Sequence, residues 1–382
     1  MRGRCGALIA AAALAAVVSP AEAAPSGPRA AVLFLPAPSV LTQPGLSVGI
    51  TSPTLGGYKR PQFSIDLSQG ARISTRAYTR KLPALRLEVA GRGGQVAGWD
   101  RVVRRAHDAP GDVVPGLLAT TIQRAGGSVA YAGVARAEDT EAFTTADEGG
   151  RIARVSLGPA AGFGARAAAL WRSSSLLVAR LPTGRQGKGA LATLLRARGP
   201  GDLVVVVQAP PRGPLTLLAT GAVGPGISGG VIRSATTRRD GYIAAPDISV
   251  SVLRTLGIKE PKKMQGEPIE SRSGHDAAYV KSLKARLDAI LPHRDEALEI
   301  VVLCWAVATL LLWIARRREG LRAAGRILLL AALWLPLVCL FTAAIEPSGL
   351  VEALIIALGS LGLGSLTDAF LHWPAAPACR RP

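Results

Sequence analysis

Three apolar runs crowd the last quarter of the chain, between residues 298 and 366, and no other feature limits its fold so much. Leu298 to Ala315 is broken only by Glu299 at its edge, and Ile327 to Ile345 holds no charge. Leu350 to Leu366 holds Glu352 near its start. Each run approaches the length a helix needs to cross a hydrocarbon layer of about 30 Å. Pro336 is tolerated in such a helix, and Gly359, Gly362 and Gly364 suit close helix packing in lipid.

Basic residues give these runs a direction. Arg316, Arg317, Arg318, Arg322 and Arg326 stand between the first two runs, against the single Glu319. The next loop, Glu346-Pro347-Ser348-Gly349, has no basic residue, and the tail ends in Arg380-Arg381-Pro382. Positive loops stay in the cytoplasm, so the arginine loop and the C-terminus are expected inside and everything before residue 297 outside. The N-terminus agrees. Arg2 and Arg4 precede an apolar stretch from Gly6 to Val18, and Ala21-Glu22-Ala23-Ala24 offers a signal-peptidase exit. The expected division is a signal peptide (1–24), an extracytoplasmic domain (25–295) and a membrane region with two or three transmembrane helices (296–382). The four cysteines, Cys5, Cys304, Cys339 and Cys379, all fall outside the exported segment. That segment therefore rests on an apolar core and not on disulfides.

Charge narrows the partners. The chain carries 45 Lys+Arg against 26 Asp+Glu, and the exported segment alone holds a surplus of seventeen positive charges. Such a field favours anionic surfaces: membrane lipids, other anionic envelope components or phosphate-bearing ligands. A GC-rich coding bias accounts for the same surplus, since arginine outnumbers lysine 37 to 8. The basic residues are scattered, and only 4% of the chain is aromatic, so a nucleic-acid partner is not expected.

Within the exported segment, strand-like and helix-like stretches alternate. Ala31 to Leu35 is a buried-strand run closed by Pro36; Ser128 to Val134, Ser175 to Leu181 and Asp202 to Val207 read the same way. Helices are expected over Asp112–Arg124, Gly189–Arg198, Pro246 to about Gly257, and Asp276–Ile290. Unalternating apolar strands separated by helices predict an α/β three-layer sandwich with a mainly parallel sheet.

The stretch Asp247-Ile248-Ser249-Val250-Ser251-Val252-Leu253-Arg254-Thr255-Leu256-Gly257-Ile258, followed by Pro261, Met264, Gly266 and Pro268-Ile269, resembles the C-terminal core of the alkaline phosphatase-like superfamily. Sulfatases, phosphopentomutases and phosphoglycerate mutases carry a similar run. Thr236 to Ile243 resembles the approach to that helix, and Asp202 to Val207 the strand that delivers an Asp-His metal pair. The resemblance implies the fold, two metal ions held by Asp and His, and a Ser or Thr nucleophile near the first strand. The chain departs from that pattern. Leu35-Pro36-Ala37-Pro38 stands where a metal Asp is implied, and Gln208-Ala209-Pro210-Pro211 where the Asp-His pair is. His107, His275 and His293 are the exported histidines, and none sits in a family motif.

No metal, cofactor or catalytic residue is therefore assigned. Lys59-Arg60, after the Gly-rich stretch from Ser47 to Gly57, and Arg238-Arg239, before Asp240-Gly241, are candidate anion-binding residues. Asp66 is a possible carboxylate that helix capping near Gly70 explains equally well. The expected role is binding or structural in the cell envelope. A metal-dependent phosphatase or phosphotransferase on envelope phosphoesters is the rival, and a fragment of a larger multispanning protein a third reading.

Overall fold

The computed structural model describes residues 27–371, apart from 37, 56–58, 136–137, 212–216, 315–317, 346 and 348. The expected signal peptide, 1–24, lies outside the described residues. In chain order the elements are β1 (Ala30–Leu35), β2 (Ser47–Ser52), α1 (Arg60–Gln69), β3 (Arg86–Ala90), β4 (Gly93–Ala97), α2 (Trp99–His107), α3 (Leu117–Arg124), β5 (Val129–Val134), β6 (Arg151–Ile152) and β7 (Arg154–Gly158). Then come α4 (Phe163–Arg172), β8 (Leu176–Arg180), α5 (Gly184–Arg196), β9 (Leu203–Gln208), β10 (Leu218–Val223), β11 (Val231–Arg233), β12 (Tyr242–Ala244), α6 (Ala245–Thr255) and β13 (Glu270–Arg272). Three long helices follow: α7 (Ala277–Ile314), α8 (Arg318–Ile345) and α9 (Gly349–Leu371).

One large sheet runs β13-β11-β2-β10-β9-β1-β8-β5-β7, with β12 also on β2. Strand β1 lies at its centre, parallel to both neighbours, with Val32 opposite Val178 on one side and Val205 on the other. Strands β8, β5 and β7 continue the parallel half. β10 is antiparallel to both β9 and β2, so the sheet is mixed although mainly parallel. A small antiparallel sheet, β3-β4-β6, stands apart.

Both faces of the large sheet are covered, which explains why its central strands show no polar alternation. Ala30, Val32 and Phe34 point to one side, into a core with Phe63 and Ile65 of α1, Leu118 and Ile122 of α3, and Ile248 and Val252 of α6. Ala31, Leu33 and Leu35 point to the other, against Phe163 and Trp171 of α4, Leu191 and Leu194 of α5, and Val280 and Leu283 of α7. The result is the three-layer arrangement.

The details correct the sequence reading at several points. Ser47–Ser52, expected in a Gly-rich loop, is a strand buried at every residue. α3 begins at Leu117 and not at Asp112, and α5 begins earlier, at Gly184. Asp202 precedes its strand and pairs with Arg29 at 2.6 Å, at the edge where β9 begins.

Among the described residues, two helices are long and apolar enough to cross a membrane: Ala324–Ile345 and Leu350–Leu371, each of 22 residues. They pack closely enough that a Cβ on Gly364 would lie 2.7 Å from the Ala331 nitrogen. The first expected run forms the end of α7, where the apolar stretch among the described residues is the shorter Leu298–Val307.

Candidate functional site

In open α/β sheets, ligands gather where parallel strands end, because the loops there are free to carry side chains. Here that edge comprises the ends of β1, β5, β8 and β9. Backbone pairing continues past the strand ends: Leu181 N–H donates to Phe34 O at 2.9 Å, and Ala209 N–H to Leu35 O at 2.8 Å. The Gln208 side-chain oxygen accepts the Ala219 N–H at 3.2 Å. Of the positions implied to hold metal ligands, Leu35, Gln208 and Ala209 are thus engaged by the sheet, while Ala37 lies outside the described residues.

Charge at this edge belongs to an ion-pair network. The 3-10 turn Thr140–Thr145 packs against α1 and places Glu141, fully buried, beside the last residue of β8. Arg180 Nη1 donates to both Glu141 carboxylate oxygens, at 2.7 and 2.9 Å. Arg60, at the start of α1, donates to Glu138 at 2.6 Å and lies 3.8 Å from Glu141. Burial alone would pull the Arg180 guanidinium down, but the charge and hydrogen bonds of Glu141 more than offset it and hold it up. Beside them Tyr131 donates to Asp139 at 2.8 Å. Desolvation, with Asp139 and Glu141 nearby, pushes the Tyr131 phenol well up, and burial raises the Asp139 carboxyl as well. Two arginines against two glutamates neutralise each other.

The residues do not fit a pair of metal ions. Each ion needs several oxygen and imidazole donors with free lone pairs converging on one point. Among the described residues no group of three His, Cys, Asp or Glu side chains is placed to hold one. His107 is exposed at the end of α2, and His275 stacks on Tyr279 at 4.0 Å. The side chain of His293 lies outside the described set. Asp247, buried in α6, is already saturated. It accepts from Ser234 and Thr236 hydroxyls, both at 2.6 Å, and from the amides of Ala244 and Glu267, at 2.7 and 2.9 Å.

This saturation gives the family-like run a structural meaning. Asp247 ties the approach segment, the first turn of its own helix and the returning chain together. A Cβ on Gly266 would lie 2.4 Å from the Pro246 carbonyl oxygen, so only glycine lets that return pass. Gly257 ends the helix region with φ +69°, a conformation that favours glycine.

The candidate anion-binding residues fall in two places. Lys59 is exposed just before α1, and Arg60 is engaged as described. Arg238 and Arg239 are exposed in the β11–β12 connection, where Arg238 adopts the left-handed φ of 54°. No hydrogen bond or ion pair among the described residues joins the two pairs.

Sequence reasoning missed most of α1. All its residues from Gln62 to Gln69 are buried, five of the eight being polar. Asp66 accepts from Gln62 at 2.7 Å and Gln69 at 3.0 Å, while its Oδ2 has no partner. Burial pushes its carboxyl well above its ordinary range, against the smaller opposing pull of Gln62, Arg72 and Arg105. The start at Pro61 and the stop at Gly70 were the available signals for this helix.

No family model matches the chain, and no curated protein does. Among solved structures, the PH0037 protein from Pyrococcus horikoshii is similar over 62% of this chain and 98% of its own, at 11% identity and a TM-score of 0.37. A Leishmania mexicana phosphoglycerate mutase, crystallised at low cobalt concentration, is similar over 40% of this chain and 38% of its own, at 11% identity and a TM-score of 0.30. Values of this size carry no activity, ligand or metal from those proteins to this chain.

Proposed function

We propose that this chain is a membrane-anchored extracytoplasmic domain of alkaline phosphatase-like fold that binds or scaffolds in the cell envelope without two-metal phosphoryl chemistry. The observation that carries the reading is the sheet edge itself. The strand ends offer proline, alanine and a hydrogen-bonded glutamine, while the neighbouring charges, Arg60, Glu138, Glu141 and Arg180, are spent on one another. The basic exported surface and the two long apolar helices support a place at a membrane, with anionic envelope components as partners.

Elemental analysis of the purified full chain, together with a phosphomonoester hydrolysis assay, tests this. The expected result is no stoichiometric zinc, manganese or magnesium and no hydrolysis above background. About two metal ions per chain with turnover would establish the metal-dependent phosphatase or phosphotransferase instead.

A further inference from the structure

Outside the sheet edge, the side of α1 bearing Gln62 opens onto a separate pocket. It has a volume of about 190 Å³, and Lys59, Gln62, Tyr78, Arg80, Lys81 and Arg105 line it. Four of these six are cationic, and no Asp or Glu lines the pocket.

Its floor is the unusual part. Arg105 is only 4% exposed. Its Nε donates to the Arg80 carbonyl at 2.9 Å, its Nη1 to Gln62 Oε1 at 2.9 Å, and its guanidinium lies 3.4 Å from the centre of the Tyr78 ring. Every one of these partners is neutral. Gln62 stands between Arg105 and Asp66 and spends its amide nitrogen on that carboxyl. Asp66 lies behind Gln62 and forms no ion pair with Arg105 among the described residues; its charge and that of Tyr78 support the guanidinium less than burial pulls it down. Taking a cation out of water with no counter-charge in contact is costly, and such groups are ordinarily paired. Arg80 at the mouth has its own exposed partner, Asp108, whereas Lys59 and Lys81 have none among the described residues.

We propose that this pocket binds a small oxyanion, a phosphate, sulfate or carboxylate group, with Arg105 as the buried charge and Lys59 and Lys81 closing over it. A planar guanidinium with neighbouring ammonium groups suits such an anion in both charge and hydrogen-bonding capacity. The volume is below the roughly 300–1,000 Å³ of pockets that enclose drug-sized ligands, so one charged group with small substituents is the fitting size. This inference rests on the binding reading above and names its ligand class. The site is distinct from the Arg60 network, since Arg60 turns to Glu138 and Glu141 and does not line the pocket.

Titration of the full chain in neutral-detergent micelles tests the assignment. The probes are inorganic phosphate, glycerol phosphate, and micelles doped with phosphatidylglycerol. Lys59→Ala/Lys81→Ala alters two exposed side chains, so it should fold like the parent. It should weaken binding by about tenfold or more, as expected when ion-pair partners worth about 1.4 kcal/mol together are removed. Lys188→Ala/Lys259→Ala, equally exposed but remote from the pocket, should not. Binding of either soluble probe that depends on Lys59 and Lys81 supports the site and marks the ligand as soluble. Dependence seen only with the doped micelles supports it and marks a lipid headgroup. No binding in any arm, or equal binding by parent and pocket variant, overturns it. Stoichiometric metal in a protein that still binds phosphate through these lysines would overturn the earlier reading alone.

Discussion

A carboxyl group placed inside a helix that is itself inside the protein has two ways to avoid a desolvated charge: gather donors, or keep its proton. Asp66 gathers two amide donors on one oxygen and none on the other. Burial therefore wins, and the group holds its proton above the ordinary 3.8. In the unfolded chain it gives the proton up near that value. Between the two pKa values the folded state binds the extra proton, so this group's contribution to stability falls as pH rises through that window. Arg72, Arg105 and the Tyr78 phenol are the other titratable groups acting on it or on its neighbours. Asp66→Asn keeps the accepting oxygen and removes the ionisation. Its melting temperature relative to the parent should climb as pH rises above the unfolded-chain value of 3.8, each unit of raised pKa being worth about 1.4 kcal/mol. A difference that stays flat or shrinks with pH would show that Asp66 is ionised in the fold. The sequence displayed Asp66 only as a carboxylate four residues before Gly70. Its burial was hidden because Phe63, Ile65 and Leu67 alternate with polar residues, a period of two that belongs to strands and not to a helix.

Strands made mostly of apolar residues were legible, and one made mostly of Gly, Ser and Thr was not. β1, β5, β8 and β9 are dominated by Val, Leu and Ala and buried on both faces, and their pattern gave them away. β2 reads as a loop because of Gly49 and its Ser and Thr residues. In the fold, a Cβ on Gly49 would meet Ile232 Cγ1 at 2.4 Å and the Gly241 carbonyl at 2.9 Å, so glycine is what lets a strand pass there. Thr51 is hidden by pairing its hydroxyl with that of Thr220 at 2.6 Å. The antiparallel half of the sheet was missed for this reason. The ion-pair edge was missed for another: Arg60, Glu141 and Arg180 are far apart in sequence, and only the packing of Thr140–Thr145 under α1 brings them together. Val205 gives the element-scale prediction. It lies in β9 between Val32 of β1 and Ala222 of β10, with no exposed surface. Val205→Asp would bury an unpaired carboxylate at a cost of several kcal/mol, comparable with the roughly 5–15 kcal/mol of an ordinary domain. The variant should unfold or be degraded, whereas Arg238→Ala, on an exposed turn, should melt with the parent. A Val205→Asp protein that melts within a few degrees of the parent would place β9 at the surface.

For the molecule as a whole, one prediction ties the basic arginine loop to the folded domain. Every strand lies before residue 277 and three long helices follow, the first of which still packs on the sheet through Val280 and Leu283 before its apolar end begins. The apolar runs were legible from composition alone, and Ala324–Ile345 and Leu350–Leu371 have the length and apolarity that crossing a membrane requires. Orientation is a matter of charge. Arg318, Arg322 and Arg326 belong to the start of α8, and Arg326 also reaches Asp368 of α9 at 3.1 Å, which keeps the two helix ends on the same side. With the end of α7 taken as a further crossing, as the sequence reading expects, and positive loops kept in the cytoplasm, the domain preceding α7 should face outward. With the native cysteines replaced, a single cysteine at Ser273, exposed between β13 and α7, should react with a membrane-impermeant thiol reagent added to intact cells. One at Gly320, at the start of α8, should react only after the membrane is opened. Labelling of Gly320 and protection of Ser273 in intact cells would invert the topology, and the envelope setting proposed for the oxyanion pocket would fall with it.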